Sequence, residues 1–457
     1  MKRARRKASP AGPIGSLSPD ESACMDYNLS AAVCVAIMLF LLLVGVPIAW
    51  ALLSSSIVVG FAFFGMSALD KLGGQTFYFL YNLSWTPLPL FVLLGCLIAE
   101  TTIGYDLFKA ARNWLSRVPG GVISATILAE AGMAAALGAS APCIVGVGKI
   151  AVPELEKLKY KKSFALGALL TGGILGPLIP PSAVMIIFAI LTNSSVGRLF
   201  IAGVIPGIIL AAMLSMAAVL FCLRNPSLGL PAGPVAWKER FASLRRIWPM
   251  LIIIFSILGT IYLGIATPTE AAGVGCFVVL ILAFSLYRMR FKALYRALVE
   301  AAIVNAMLMV TVIAAQFFSY IVGSSVLAER MAAFIHSANL SPWLIVIGIN
   351  ILLLVLGCFL DGMTIMLLTI PVLVPLLTQM GFDSLWIGVW YVVNMEIGLI
   401  TPPMGINLFL TSSVFEISNM ELIKATLPFL AVCILFLALI LGIPQLSLWL
   451  PGIMLGK

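Results

Sequence analysis

Two proline breaks, each set inside a run of apolar residues, constrain this chain more than any other feature. Residues 176–182 read GPLIPPS and residues 398–404 read GLITPPM. A proline lacks the backbone N–H and clashes with the carbonyl four residues back, so it ends or kinks a helix. In hydrocarbon, an unsatisfied backbone group survives only inside protein or beside a polar cavity. The surroundings are hydrocarbon-like: 62% of the 457 residues are hydrophobic and 10% charged, where soluble domains run at about 45–50% and about 25%. The apolar runs are of helix-crossing length, about 20 residues, and lack the short alternation of an outer-membrane barrel. The expected class is an all-α polytopic membrane protein.

The breaks are copies of one another. Pro180 and Pro402 are 222 positions apart, and the same ungapped shift lays Pro181 on Pro403, Gly176 on Gly398, Pro153 on Pro375 and Pro206 on Pro428. Each proline between 375 and 428 thus lands on a proline of the first copy, which marks an internal repeat. The first repeat spans 31–223: an apolar pair at 31–44 and 49–64 turning at VGVP, a span at 78–100, and a basic amphipathic stretch to Arg117. An out-and-back hairpin at about 120–153, a broken helix at 163–190 and a span at 199–222 complete it. A loop at 224–247 leads to the second repeat, 248–450. Its parts are 248–265, 270–287, 300–323, a hairpin at about 342–376, a broken helix at 386–412 and a span at 425–448. The sum is about ten crossings and two re-entrant hairpins.

Lysine placement fixes their relative orientation. Residues 153–163, PELEKLKYKKS, carry four lysines, whereas the counterpart PLLTQMGFDSL at 375–385 has no basic residue. Lys109, Arg112 and Arg117 likewise face only Arg330 and His336. Cationic loops stay cytoplasmic, and an odd number of crossings separates the two loops, so the repeats are inverted. The net charge of +9 therefore reports orientation, and the clusters Arg224–Arg246 and Arg288–Arg296 belong to the cytoplasm too. No nucleic-acid partner is implied. This topology puts the N-terminus outside, against the basic MKRARRK. A start at Met25 (MDYNLS) removes the conflict, and a single bent crossing over 31–64 is the alternative. Residues 1–30 form a polar extension without a signal-peptide cleavage pattern.

Inverted repeats with interrupted helices are the architecture of secondary transporters. Pro180-Pro181 and Pro402-Pro403 free carbonyls suited to a hard cation such as Na⁺, while exposed helix N-termini attract an anion. Gly176 and Gly398 permit the turn and a close neighbour. The hairpins turn near LGASAP (137–142), with Ser140 as an available oxygen, and near FLDGMT (359–364), with Asp361 as the local acid. An acid at mid-membrane costs about 2.5–3.5 kcal/mol and should be paired, protonated or facing an ion path. A hydrogen bond at the hairpin tip is the structural alternative. Asn394 and Asn407 either line a polar cavity with Ser182 or join helices. Thr171, Ser182 and Thr401 can also re-satisfy backbone groups, and plain proline kinks remain the bland reading. Thr401 stands where the first copy has Ile179, so the two breaks are chemically unequal. Glu396 lies within a turn of Gly398, while Glu130 and Glu300, near span ends, read as interface residues. Eight scattered cysteines form no CxxC pair, and all but Cys24 fall in apolar runs. His336 has no Cys or His neighbour, so no metal centre is expected other than for Na⁺. No cofactor is expected.

Four stretches, GGILGPLIPPS, RLFIAGVIPG, GIATPTEAAGVG (264–275) and VVNMEIGLITPPMGINLF (392–409), closely resemble the large membrane subunit of tripartite ATP-independent periplasmic (TRAP) transporters. The resemblance runs from about residue 29 to the C-terminus. It implies an elevator-type ion-transporter fold and Na⁺-driven import of an organic anion, typically a carboxylate, across the bacterial inner membrane. It also implies a periplasmic binding protein and a small four-helix membrane subunit, here a separate chain because residues before 31 leave no room for four spans. Carried over by position, one ion site comprises Ser140 with Gly173, Gly176 and Pro180, and the other Asp361 with Gly398, Thr401 and Pro402. Family members commonly read Gly-Ser-Ser and then Thr at the first tip. This chain has Gly138-Ala139-Ser140 and Cys143, which implies a first ion site that is either kept by backbone ligands in weakened form or absent.

The expected mechanism has a scaffold of 31–64 and 248–287 holding two mobile bundles, each a hairpin plus a broken helix, with Na⁺ ordering the tips. No GxxxxGK[ST] nucleotide loop is present. A stand-alone divalent-anion/Na⁺ symporter is the alternative, distinguished by uptake without a binding protein. An intramembrane enzyme lacks a His pair or nucleophile–base constellation, and a channel would pass current without saturable uptake.

Overall fold

The computed structural model describes residues 21–323 and 341–455. The basic residues of positions 1–7, Arg330 and His336 lie outside the described residues. Among the described residues every regular element is helical. Seven helices are individually long and apolar enough to cross a membrane, and nine crossings result when each of two bent pairs counts as one.

The chain enters through Glu21–Leu43 and Ile48–Phe64, which pack on each other and turn where Gly45 has φ +89° and Pro47 precedes the second helix. The expected continuous span at 78–100 is not there. Met66–Tyr81 ends at Asn82, whose side chain accepts a hydrogen bond from the Ser84 N–H at 2.9 Å, and a new helix runs Pro87–Ala99. Pro87 and Pro89 explain the division, because proline fits the first turn of a helix and disrupts its interior. The amphipathic Ile103–Leu115 follows, bent by 66° from the helix before it.

The first hairpin pairs Gly121–Leu137 with Ser140–Lys157. The first broken helix runs Lys162–Gly172, Leu175–Leu178 and then Ala183–Leu191, with a bend of 45°. Val196–Arg224 closes the repeat. In the second repeat, Trp248–Tyr262 carries a π-turn at Phe255–Gly259. The TPTE turn then starts Pro268–Ser285 with a reciprocal cap: the Glu270 N–H donates to the Thr267 hydroxyl, and the Thr267 N–H to the Glu270 carboxylate at 2.8 Å. Phe291–Gly323 follows. The second hairpin pairs Pro342–Phe359 with Gly362–Gln379, and the second broken helix is Ser384–Ile400 plus Ile406–Val414. The last expected span, 425–448, divides into Asn419–Gly442 and Gln445–Leu455 because Pro444 cannot extend the first of them.

The repeats interlock. Phe291–Gly323 packs on Ile48–Phe64, and Pro268–Ser285 on Pro87–Ala99, so each repeat supplies a helix to the other's frame. Their inversion is visible in two contacts. Thr192–Ser195, at the far end of the first broken helix, line one cavity of about 660 Å³ with Asp383 and Ser384, at the near end of the second. Conversely, Gly167 near the start of the first broken helix lies against Ala425, just beyond the end of the second; a Cβ at Gly167 would come within 2.6 Å of the Ala425 carbonyl oxygen. Start meets end in both cases, as antiparallel repeats require.

In a variant stripped of native cysteines, Lys159→Cys should react with an impermeant maleimide only from the cytoplasmic side, and Asp383→Cys only from the outside. Both positions are exposed. Labelling of the two from one face would exclude the inverted arrangement.

Candidate functional site

The two breaks have the same local build. In the first, the chain leaves the helix at Ile179 (φ −84°, ψ 122°), passes a cis Pro180-Pro181 peptide, and restarts at Ser182, whose hydroxyl accepts from the Met185 N–H at 3.2 Å. In the second, Thr401 (φ −83°, ψ 132°) leads into a cis Pro402-Pro403 peptide, and Gly405 precedes the new helix. The Thr401 hydroxyl donates to the Ile397 carbonyl at 2.6 Å. Thr171 likewise donates to the Gly167 carbonyl at 3.0 Å. These hydroxyls re-satisfy backbone rather than facing open space.

The hairpin tips seal the breaks. At the first tip, Gly138 (φ +61°) ends one arm and Ser140 begins the other. A Cβ on Gly176 would lie 2.6 Å from the Ala139 carbonyl oxygen and 3.1 Å from Cys143 Sγ. Gly173 fits against Ile144 in the same way. Ser140, Gly173 and Gly176 are therefore brought to one place, with the Pro181 carbonyl of the break beside Gly138. In the second repeat the helices meet one turn earlier, where a Cβ on Gly357 would come 2.5 Å from Gly398 Cα. Backbone-to-backbone contact of this kind is what small residues permit between membrane helices. The Cys358 thiol points to the Pro402 carbonyl oxygen at 3.6 Å.

Asp361 spends its carboxylate on its own hairpin arm. It caps Gly362–Gln379, accepting from the Thr364 N–H at 3.1 Å and from the Thr364 hydroxyl. Asn394, fully buried, donates to Asn350 Oδ1 at 3.0 Å, an acceptor that also takes the Trp390 indole N–H at 3.0 Å. It joins the second broken helix to the second hairpin. Asn350 and Trp390 were not singled out by sequence, since an amide and an indole at those positions form no recognisable motif.

Asn407 makes the contact between repeats. Its amide donates at 3.0 Å to the hydroxyl of Ser140, 267 residues earlier. The Ser140 side chain also faces the carboxyl of Glu396, whose Oε2 has no hydrogen-bond partner among the described residues. The first hairpin tip thus touches its own break and both halves of the other broken helix. Glu130 departs from expectation: it is no interface residue, being 0% exposed with both carboxyl oxygens unpartnered, whereas Glu300 is exposed. Its signal in the sequence is a lone acid within LAEAGMAAAL, a stretch otherwise without charge.

The breaks differ in exposure. Pro180, Pro181 and Ser182 are buried, whereas Pro403 and Met404 are exposed, Met404 at 51%. At the outer end, Arg198 and Asp383 line both the 660 Å³ cavity and a neighbouring one of about 550 Å³ edged by Gln445 and Trp449.

Residues 35–446 match the family model described as "Tripartite ATP-independent periplasmic transporter, DctM component". A C4-dicarboxylate TRAP transporter large permease protein from Pseudomonas aeruginosa is 37% identical, over 80% of this chain and 85% of that protein. A Vibrio cholerae protein of the same description is 32% identical over 94% of this chain and 99% of its own length. A sialic acid TRAP transporter large permease protein from Vibrio cholerae is 31% identical over 91% of this chain and 94% of that one. Among solved structures, the Alcanivorax borkumensis YdaH transporter aligns with a TM-score of 0.63 at 14% identity, covering 92% of this chain and 99% of that one. That likeness is one of fold.

Because Gly176 leaves no room for a Cβ beneath the first tip, Gly176→Ala should lower stability by about 1–3 kcal/mol, read as thermal unfolding in detergent. Gly452→Ala, where a Cβ meets nothing within 4 Å, is the control. Equal shifts for the two would show that the tip is not seated on the break.

Proposed function

The chain belongs to the DctM large-permease family of the tripartite ATP-independent periplasmic transporters, and on that premise we propose that it imports an organic anion, a carboxylate, driven by Na⁺. Its place is the bacterial inner membrane, which it crosses many times. It works with a small membrane subunit and a periplasmic binding protein that delivers the anion. The relatives named for C4-dicarboxylates make succinate the first substrate to test.

One observation carries the reading: the first hairpin tip, its own break and both halves of the second broken helix meet in a single place, through Ser140, Gly176, Asn407 and Glu396. Helix ends of both signs collect around the tips and breaks. Gly121–Leu137, Leu175–Leu178, Pro342–Phe359 and Ser384–Ile400 end there with surplus carbonyls, which suit Na⁺. Ser140–Lys157, Ala183–Leu191, Gly362–Gln379 and Ile406–Val414 begin there with surplus N–H groups, which suit a carboxylate. Proposed cation ligands are the backbone around Ser140, Gly173, Gly176 and Pro180 on one side, and around Gly398, Thr401 and Pro402 with Asp361 on the other. Ser182, Asn394 and Asn407 are the proposed anion-side residues. Each of the three already makes a bond within the protein, Ser182 with the Met185 N–H, Asn394 with Asn350 and Asn407 with Ser140, and the Asn407 bond is the one that joins the two repeats.

The bundles then move against the frame made by Ile48–Phe64, Trp248–Tyr262 and Pro268–Ser285. Na⁺ bound at a tip holds it on its break, and the loaded bundle crosses with its backbone groups satisfied. The Arg198-lined outer cavity lies where an anion released by a binding protein would enter.

Proteoliposomes holding this chain and its small subunit should take up radiolabelled succinate from its binding protein only with an inward Na⁺ gradient, with a loss of at least about tenfold, ~1.4 kcal/mol, when Na⁺ is replaced by choline. Equal uptake in choline would reject Na⁺ coupling. Uptake of free succinate without a binding protein would favour the stand-alone symporter.

A further inference from the structure

Glu130 sits mid-way along the first arm of the first hairpin, 0% exposed, with neither carboxyl oxygen hydrogen-bonded among the described residues. Its space is made by Gly172, the last residue of the first segment of the broken helix. A Cβ at Gly172 would collide with Glu130 Oε2 and come 3.0 Å from its Cδ. The carboxyl is therefore pressed against the backbone of the first half of the broken helix, which runs on to Leu178, at a point where the missing side chain of Gly172 leaves room for it.

No described cation on the surrounding helices neutralises it. On Ile103–Leu115, Arg112 binds Glu154 at 2.7 Å, Asp106 faces Arg246 at 4.0 Å, and Lys109 lies over the Tyr105 ring. On Lys162–Gly172 the charge is Lys162, paired with Glu156 at 3.1 Å. Lys149 and Lys157 on Ser140–Lys157, and Arg198 and Arg224 at the ends of Val196–Arg224, are exposed. Pro87–Ala99 offers Cys96 and Val196–Arg224 Cys222, both neutral thiols, and Leu175–Leu178 has nothing titratable. Ser140–Lys157 also carries Cys143, a buried thiol on the second hairpin arm. Among the described residues Glu130 thus has no hydrogen-bond donor and no counter-ion, it is 0% exposed, and Gly172 leaves the space that it fills.

We propose that Glu130 is a proton-carrying site of the first transport bundle, so that a proton accompanies each import cycle in addition to Na⁺. The inference rests on the transport function proposed above. Water on the outer side gives the carboxylate its proton while the Gly172 end is accessible. The acid crosses packed against Gly172, and cytoplasmic water takes the proton after the bundle has moved.

Proteoliposomes containing the chain, its small subunit and an internal pH-sensitive dye are given succinate-loaded binding protein and an inward Na⁺ gradient. The wild type should acidify the lumen as succinate enters, and Glu130→Gln should take up succinate without that acidification. Wild-type uptake with no acidification, or equal acidification by Glu130→Gln, overturns the proposal. Absence of any wild-type uptake would instead strike at the transport reading. Infrared spectra of the purified complex decide the case in which Glu130→Gln cannot transport. The wild type should show a protonated-carboxyl band that is missing in Glu130→Gln and shifted in Gly172→Ala. A band unchanged by both substitutions overturns the assignment.

Discussion

In a membrane interior a helix can be interrupted only if something else takes over the job of covering its backbone. Every other feature of this fold answers to that constraint. Pro180-Pro181 and Pro402-Pro403 each open a helix, and a hairpin arm from the same repeat lies against each opening. The glycines at these contacts are there because the covering surface is itself backbone: Gly176 against the Ala139 carbonyl, Gly398 against Gly357. A side chain at either position would hold the cover off and expose the groups it shields.

The cover is not symmetric, although the letters nearly are. The first break is enclosed by its tip and additionally tied to the second repeat through Ser140 and Asn407. The second break leaves Pro403 and Met404 exposed, and its local acid, Asp361, caps its own helix. Ile179 and Thr401 reflect this difference: an apolar side chain where the break is enclosed, a hydroxyl that donates back to its own helix where it is open. The result is one enclosed half and one more open half.

Much of this was readable from spacing alone. Prolines repeating at 222 positions, small residues at two turns and lysines in one of two equivalent loops sufficed for inverted repeats, hairpins and broken helices. They could do so because backbone rules in hydrocarbon leave few alternatives. What the sequence concealed is what depends on neighbours in space. The span expected at 78–100 hid a cap at Asn82, a residue equally at home inside a polar turn of a longer helix. Asn394 could line a cavity or join helices, and only its distance to Asn350 decides for the second. Glu130 was assigned to an interface because acids near span ends usually lie there. Its enclosure depends on Gly172, forty-two residues on, and no pattern links those two letters.

The Ser140–Asn407 bond gives the two repeats a common centre. Interhelical hydrogen bonds in membranes are individually modest, about 0.6 kcal/mol on average, so this one cannot lock the bundles together. It can report between them. Any motion that lifts the first tip from its break must also release Asn407. A weak bond between the two repeats is thus suited to coupling, because it costs little to break. Its geometry still requires both repeats to respond together.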